Sequence, residues 1–324
     1  MLLWSSKTFE AISDAAIYRF LQVDTNNDLD LPPSLPETIW AVQKISSGKA
    51  LGSDAIPPEV YKHGGPRLMA ELTTLFQEMW CQGQVPQDFK DTTIMFARVL
   101  LNRLNGHLEQ GLLPESQCGF RRHRGITDMI FAIRQLQEKC QEMRTHLNTT
   151  FVDLTKAFDM VNRDGLGKVM QKFGCPGWFT HMVRQLHDGM TAHVTDNGTV
   201  SEAFAVTKRV KQGCVLARTL FNLMLSAMLM KYYRDEQRGI RIAYRTDGHL
   251  LNRRRMQALT RVSTTTAQEL HFADDCALKT MTEEDIQMSM DLFVTDCANF
   301  GLTISTAKTV VMHQPPPSAE YNAP

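Results

Sequence analysis

The sequence predicts an α+β fold in which an antiparallel sheet is flanked by helices. Two stretches carry the sheet. Thr149-Thr150-Phe151-Val152 is a run of β-branched and aromatic residues leading into Asp153. His271-Phe272-Ala273-Asp274-Asp275-Cys276-Ala277-Leu278 reads as a hairpin with two adjacent acids at or beside its turn. The helices follow from a third observation: long stretches place apolar residues three and four apart, as a helix buried along one face requires.

In chain order, residues 9–21 have apolar positions at helical spacing, and residues 26–36, rich in Asp, Asn and Pro, read as a linker. Pro36 suits a first helical turn and opens a helix through Ile39, Trp40, Val42 and Ile45. Residues 67–81 put Leu68, Leu72, Leu75, Phe76 and Met79 on one face and stop at Gly83. Thr127 or Asp128 can cap a helix through Phe131, Ile133, Leu136, Cys140 and Met143. Residues 165–186 are mostly helical, with a break at Gly174-Cys175-Pro176-Gly177. Residues 192–206 read as a hairpin turning at Asn197-Gly198, and residues 216–233 as a long helix. Thr282 starts a last helix with Glu283, Glu284 and Asp285 in its first turn; Ile286, Met290, Phe293, Cys297 and Phe300 form its buried stripe up to Gly301. The Pro-rich tail beyond is expected to be extended or disordered.

A hydrophobic fraction of 43% with 22% charged residues describes an ordinary globular chain, neither disordered nor membrane-embedded. The longest nearly apolar run, residues 220–230, is too short to span a bilayer, and the opening residues lack a signal-peptide pattern. The seven cysteines are dispersed and never form a CxxC pair, so reduced thiols are expected rather than disulfides or a zinc site. An intracellular protein, of cytoplasm or nucleus and without a membrane partner, is the resulting expectation. Lys and Arg total 35 and balance 35 Asp and Glu, which argues against strong unaided binding to a polyanion. Three local clusters stand against that neutrality: Arg121-Arg122-His123-Arg124, Lys208-Arg209-Val210-Lys211 and Arg253-Arg254-Arg255. Each taken alone reads as a solvated face.

Asp is common in turns for local hydrogen-bonding reasons, so neither acidic stretch by itself demands chemistry. Two acid-bearing strand ends that converge do. Convergent carboxylates repel unless a cation lies between them, and hard oxygen ligands with few other donors suit Mg²⁺. A pair of such ions is the usual device for in-line displacement at phosphorus.

The motifs sharpen this. Phe151-Val152-Asp153-Leu154-Thr155-Lys156-Ala157-Phe158-Asp159 resembles the first acidic motif of reverse transcriptases, and Phe272-Ala273-Asp274-Asp275 resembles their Tyr/Phe-x-Asp-Asp motif. Gln212-Gly213-Cys214-Val215-Leu216 with Leu220-Phe221-Asn222 is similar to the intervening Gln-Gly motif, and Gly301-Leu302-Thr303-Ile304-Ser305 with Lys308-Thr309 to the lysine-bearing one. All four stand in family order. The resemblance is to the non-LTR (LINE-type) retrotransposon enzymes, whose fingers motif is matched by Gln117-Cys118-Gly119-Phe120-Arg121 and Thr127-Asp128, and whose preceding Lys-x-x-Gly-x-Asp-x-Ile-Pro segment is matched at residues 49–57. It covers roughly residues 35–314.

The resemblance implies a right-hand polymerase palm with truncated fingers. Its parts would be a flank and linker (residues 1–34), partial fingers (35–145), a palm with the metal-binding motifs (146–312) and a disordered Pro-rich tail (313–324). The fingers are partial because Phe96 runs straight into Ala97-Arg98-Val99-Leu100-Leu101, where the family inserts a basic strand pair that holds the incoming triphosphate. Ala217-Arg218 likewise replaces the family's Pro or Ser-Pro, and a cation at a helix start opposes the macrodipole.

The implied activity is RNA-directed DNA polymerisation, with an RNA template, a DNA primer and dNTPs as partners and two Mg²⁺ ions, replaceable by Mn²⁺, as cofactors. The implied metal ligands are Asp153, Asp274 and Asp275. Lys308 would protonate the pyrophosphate leaving group, Phe158 would exclude a ribose 2′-hydroxyl, Gln212 and Gly213 would face the template and base pair, and Arg121 would face the nucleotide. Local explanations compete at several positions: Phe158 as core packing, Arg121 as a surface arginine and Lys308 as a solvated lysine. Two alternatives to the enzyme are an inactive LINE-derived relic and a non-catalytic RNA- or partner-binding module. Oligomeric state is not legible.

Overall fold

A computed structural model describes residues 12–45, 56–86, 90–114, 117–119, 121, 124–188, 191–192, 195–196, 199–202, 204–205, 210, 214–235, 240–245, 262–267, 270–272 and 275–317. In chain order the helices are α1 Asp14–Tyr18, α2 Leu35–Gln43, α3 Pro58–His63, α4 Gly65–Gln82, α5 Lys90–Leu108, α6 Ile126–Met143, α7 Arg163–Lys172, α8 Gly177–Gln185, α9 Ala217–Asp235 and α10 Glu283–Asn299. The strands are β1 Leu147–Asp153, β2 Thr191–Ala192, β3 Thr195–Asp196, β4 Thr199–Val200, β5 Phe204–Ala205, β6 Ile240–Arg245, β7 Val262–Ala267, β8 Leu270–Phe272, β9 Asp275–Thr280 and β10 Val310–Gln314. The expected mixture of helices and antiparallel sheet is what forms. No helix among the described residues is long and apolar enough to cross a membrane.

The chain divides into two compact units that are each discontinuous in sequence and cut across the expected linear boundary at residue 145. One comprises Pro114–Ala157 with Leu225–Pro324, the other Ala11–Leu113 with Phe158–Met224.

The first unit is built on a four-stranded antiparallel sheet of order β10-β1-β9-β8. Strand β1 is central, paired on its two edges by β9 and β10, with Thr149, Thr150 and Val152 buried and Phe151 exposed. Helix α10 packs against β9 and β1, with Met290, Phe293, Cys297 and Phe300 buried as its spacing predicts and Ile286 half-buried. Fully burying Phe293 and Phe300 contributes about 1.5–3 kcal/mol each. Its start is capped by Thr282, whose hydroxyl accepts from the Asp285 amide at 3.1 Å. Leu136 and Cys140 of α6 pack with Leu147 and Ile240.

Three expectations are corrected here. Helix α6 starts at Ile126 after Gly125, so neither Thr127 nor Asp128 is its cap residue; Asp128 instead reaches back from the third helical position to accept from the Gly125 amide at 2.7 Å. Strand β10 runs through His313 and Gln314, which stand opposite Asn148 and Leu147, so the sheet extends past residue 312. The expected helix over residues 9–21 is α1 alone among the described residues. The expected tail falls largely on residues 318–324, which lie outside the described residues.

The second unit is mainly helical. Helix α2 packs on α4 and α5, α7 on α8, and Phe76 meets Phe96 with ring centroids 5.6 Å apart. Leu72, Phe76 and Met79 of α4 are buried and Leu68 and Leu75 half-buried, and the helix ends at Gly83 in the left-handed region (φ 69°). Phe96 and Ala97 are consecutive residues inside the single helix α5, so no strand pair interrupts the chain where the family inserts one.

Arg103, also on α5, is the organising side chain of this unit. Its guanidinium forms a two-pronged pair with Glu37, Nε to Oε1 at 2.6 Å and Nη2 to Oε2 at 2.7 Å, and lies over the Trp80 ring. It also donates to the carbonyls of Leu29, Leu31 and Pro32. The segment expected to be a linker is therefore anchored, with Asn27–Asp30 forming a 3-10 turn and the Asn26 amide donating to the Gly174 carbonyl at 2.9 Å. His107 completes the anchoring: Nε2 donates to the Phe173 carbonyl at 2.6 Å, which leaves Nδ1 to accept from Asn26. All seven cysteines are free thiols, and burial, reinforced by Asp30, pushes Cys175 up to about 12.

Helix ends give a first prediction. Helices α4, α7 and α10 end at Gly83, Gly174 and Gly301, each at positive φ, but α6 ends at Arg144 with φ 54°. The Arg144 amide donates to the Gln141 carbonyl and the Thr145 amide to the Cys140 carbonyl, both at 3.0 Å, a pattern that needs the left-handed residue and favours glycine. Arg144→Gly should therefore stabilise the protein by about 0.5–1 kcal/mol in a urea titration.

A second concerns Glu37. Burial raises its carboxyl, but hydrogen bonds from Arg103 and Ser34 outweigh that and hold it below its ordinary value of 4.5. A carboxyl whose folded value is depressed contributes stability above the unfolded value and loses it as pH falls through the folded one. Glu37→Gln should be clearly less stable than wild type at pH 7, with the gap in urea midpoint closing below pH ~4. Arg103→Ala, which leaves a half-buried carboxylate unpaired, should cost about 3–5 kcal/mol at pH 7.

Candidate active site

The site is set by strand register. Strands β1 and β9 pair antiparallel, with Val152 opposite Cys276 and, at the end of the ladder, Asp153 opposite Asp275. Directly opposed residues project from the same face with Cβ atoms about 5 Å apart, so the two carboxylates are neighbours. Asp275 also closes the β8–β9 hairpin opposite Phe272. Ala273 and Asp274 follow Phe272 in sequence and lie outside the described residues, as do Gln212 and Gly213.

The Asp153 carboxylate is half-buried. Its Oδ1 is closed off from solvent and accepts no hydrogen bond among the described residues. Lys308 Nζ is at ion-pair distance, 3.4 Å from Oδ1 and 3.5 Å from Oδ2. Lys308 is brought there by backbone. The Thr155 amide donates to the Thr303 carbonyl at 2.8 Å, Leu154 bridges Ile304, and the Ser305 amide donates to the Asp153 carbonyl at 2.9 Å. The Lys308 amide then turns back onto the Ser305 carbonyl. The sequence places Thr303 and Ser305 in the lysine-bearing motif without a role, and no side-chain pattern indicates one because their main-chain groups make these bonds. On the other side of Asp153, Lys156 adopts φ 47°, an uncommon conformation for a residue with a side chain.

These residues fit a hard divalent cation. An enclosed carboxylate oxygen without a donor, beside a second carboxylate on the same face, is a site where positive charge is stabilised. Asp153 and Asp275 alone would supply two ligands, and no group of three or more His, Cys, Asp or Glu forms among the described residues. A full set requires Asp274.

The other expected residues divide. Phe158 packs against Phe221 in a tilted arrangement, with centroids 4.9 Å apart and 39° between planes, and its ring is half-buried within the second unit, as the packing reading predicts. Arg121 bends onto its own loop, donating from Nη1 to the carbonyls of Pro114 at 2.9 Å and Gln117 at 3.3 Å. Of the basic clusters, Arg122, His123, residues 208–209, Lys211 and residues 253–255 lie outside the described residues. Arg218 is exposed in the first turn of α9.

Residues 88–321 match the family model described as reverse transcriptase (RNA-dependent DNA polymerase). The Pol polyprotein of the type-2 retrotransposable element R2DM of Drosophila melanogaster is 21% identical over 234 residues, covering 60% of this chain and 21% of that protein. The RNA-directed DNA polymerase of the mobile element jockey is 22% identical over 225 residues in Drosophila funebris (61% of this chain, 24% of that protein) and 26% identical over 223 residues in Drosophila melanogaster (60% and 24%). Among solved structures, telomerase from Candida tropicalis is similar at 12% identity and a TM-score of 0.47, over 80% of this chain and 38% of that one. The chain spans about a fifth to a quarter of the length of these curated relatives. It belongs to the reverse transcriptase (RNA-dependent DNA polymerase) family, as a domain of the LINE-type, non-LTR retrotransposon kind.

Proposed function

We propose that this chain performs RNA-directed DNA synthesis, joining a primer 3′-hydroxyl to the α-phosphate of a dNTP on an RNA template. The observation that carries the reading is the opposed pair Asp153 and Asp275 with its enclosed, donor-free Oδ1, inside motifs that match the family in order. Asp153 and Asp275, with Asp274, would hold Mg²⁺. When bound, the ions supply the charge neutralisation that in-line displacement at phosphorus requires. Lys308, 3.4 Å from the same carboxylate, would hand a proton to the departing pyrophosphate. Gln212 and Gly213 are assigned to the template and base pair and Arg121 to the nucleotide by their motifs alone. Arg121 would first have to release the Pro114 and Gln117 carbonyls.

One observation favours a second reading, an inactive relic. Helix α5 is unbroken where the family inserts the cationic strands that hold the triphosphate, which removes part of the substrate-holding side and leaves the carboxylates in place.

Primer extension on poly(rA)/oligo(dT) with Mg²⁺ or Mn²⁺ separates the readings. The enzyme reading expects dTTP incorporation that Asp153→Asn and Asp274→Asn each lower about 100-fold or more. Equal background from the folded wild type and both variants would sink it. RNA binding that survives both substitutions would then favour a binding module.

Phe158 carries a separate expectation. As a steric filter it would make Phe158→Ala raise rNTP use relative to dNTP by roughly tenfold, and as a packing partner of Phe221 it would cost about 2 kcal/mol of stability. A stability loss with an unchanged rNTP/dNTP ratio would leave packing as its whole role.

A further inference from the structure

We infer that Lys308 is the resident counter-ion of the carboxylate pair, competing with the divalent cation for Asp153. The inference rests on the metal-binding reading above and adds how the site is charged before a metal arrives.

Two carboxylates held opposite one another by strand register need positive charge whether or not a metal is bound. Lys308 Nζ supplies it, at nearly equal distances of 3.4 and 3.5 Å from the two Asp153 oxygens. A directed charge-assisted bond would be about 2.7–2.9 Å. The ammonium therefore contributes charge across the carboxylate without locking onto either oxygen, and Oδ1 keeps its hydrogen-bonding capacity unused.

The two ends of Lys308 behave differently. Its main chain is fixed to the Asp153 turn through Ser305, whose amide donates to the Asp153 carbonyl and whose carbonyl accepts from the Lys308 amide. Its side chain is 70% exposed. Such a group is tethered at the site but easily displaced, because an exposed ion pair of this kind is weak. A divalent cation bringing twice the charge to the same oxygens would expel it while the backbone keeps it within the same turn.

The test is a Mn²⁺ titration of the whole chain followed by electron paramagnetic resonance, without nucleotide or nucleic acid. Removing a competing cation should tighten Mn²⁺ binding, so Lys308→Ala should lower Kd about two- to fivefold. Lys308→Arg, which keeps the charge, should remain near wild type. Lys156→Ala is the control for a general field effect: Lys156 is exposed in the same turn and makes no ion pair with Asp153. It should change Kd little.

Binding by Lys308→Ala that is unchanged or weaker, or a gain that Lys156→Ala reproduces in full, overturns the counter-ion role. The metal reading survives either result as long as Asp153→Asn abolishes binding. Mn²⁺ binding that is absent, or indifferent to Asp153→Asn, overturns both.

Discussion

The site depends on one register: Asp153 opposite Asp275 at the end of the β1–β9 ladder. Two like charges carried on opposed residues repel, by about 1–3 kcal/mol at a separation near the Cβ spacing of ~5 Å, depending on how far water reaches between them. Packing decides in favour of the register. A slip of one residue would reverse the facing of every side chain in β9, where Cys276, Ala277, Leu278 and Lys279 are all buried, so each would have to be repacked against the neighbours of the other face. With α10 packed against both strands, the core holds the carboxylates together against their repulsion. The strain falls at the mouth of the hairpin, where a cation can relieve it.

Much of this was legible in the sequence because it is written in side-chain periodicity. The β-branched run before Asp153, the acidic hairpin, the stripes of α4 and α10 and the glycines that end them all mark burial or a left-handed turn. What was not legible depends on main-chain partners. The segment before α2 looks like a linker because Asp, Asn and Pro dominate it, yet carbonyls that any sequence would carry hold Arg103. Strand β10 has no alternation to read, since it is an edge strand with Val310, Val311 and His313 exposed. The convergence of Lys308 on Asp153 follows from amide-to-carbonyl bonds through Thr303 and Ser305. The family resemblance puts Lys308 in a motif without indicating what it touches.

Family resemblance assigned roles that the side-chain surroundings qualify. Arg121 was read as facing the nucleotide, but its guanidinium is held by carbonyls of its own loop. Phe158 has a packing partner in Phe221, so a bulky residue there is accounted for without a substrate. Asp153 differs: its Oδ1 is closed off from water beside the Lys308 ammonium, 3.4 Å away, at the ladder position opposite a second carboxylate, and core packing does not account for that pairing. That asymmetry is why the functional reading is carried by the carboxylates and not by the residues around them.

The uninterrupted α5 gives the proposed enzyme a specific form of impairment. A triphosphate brings several negative charges, and in the family part of their neutralisation comes from the fingers strands missing here. The chain as a whole offers no compensating surplus, with 35 basic residues against 35 acidic. On the proposed reading, cation binding would draw on Asp153, Asp274 and Asp275 and would be untouched by that loss. The shortfall therefore falls on holding the nucleotide, an interaction made before and during the chemical step. Losing binding that is equal in the ground and transition states raises KM and leaves kcat in place, whereas misplacing the α-phosphate lowers kcat as well. On the proposed reading, a chain of this form retains its metal chemistry and loses its grip on substrate, so high dNTP concentration restores its rate to the extent that the missing strands only bound the nucleotide and did not also orient it.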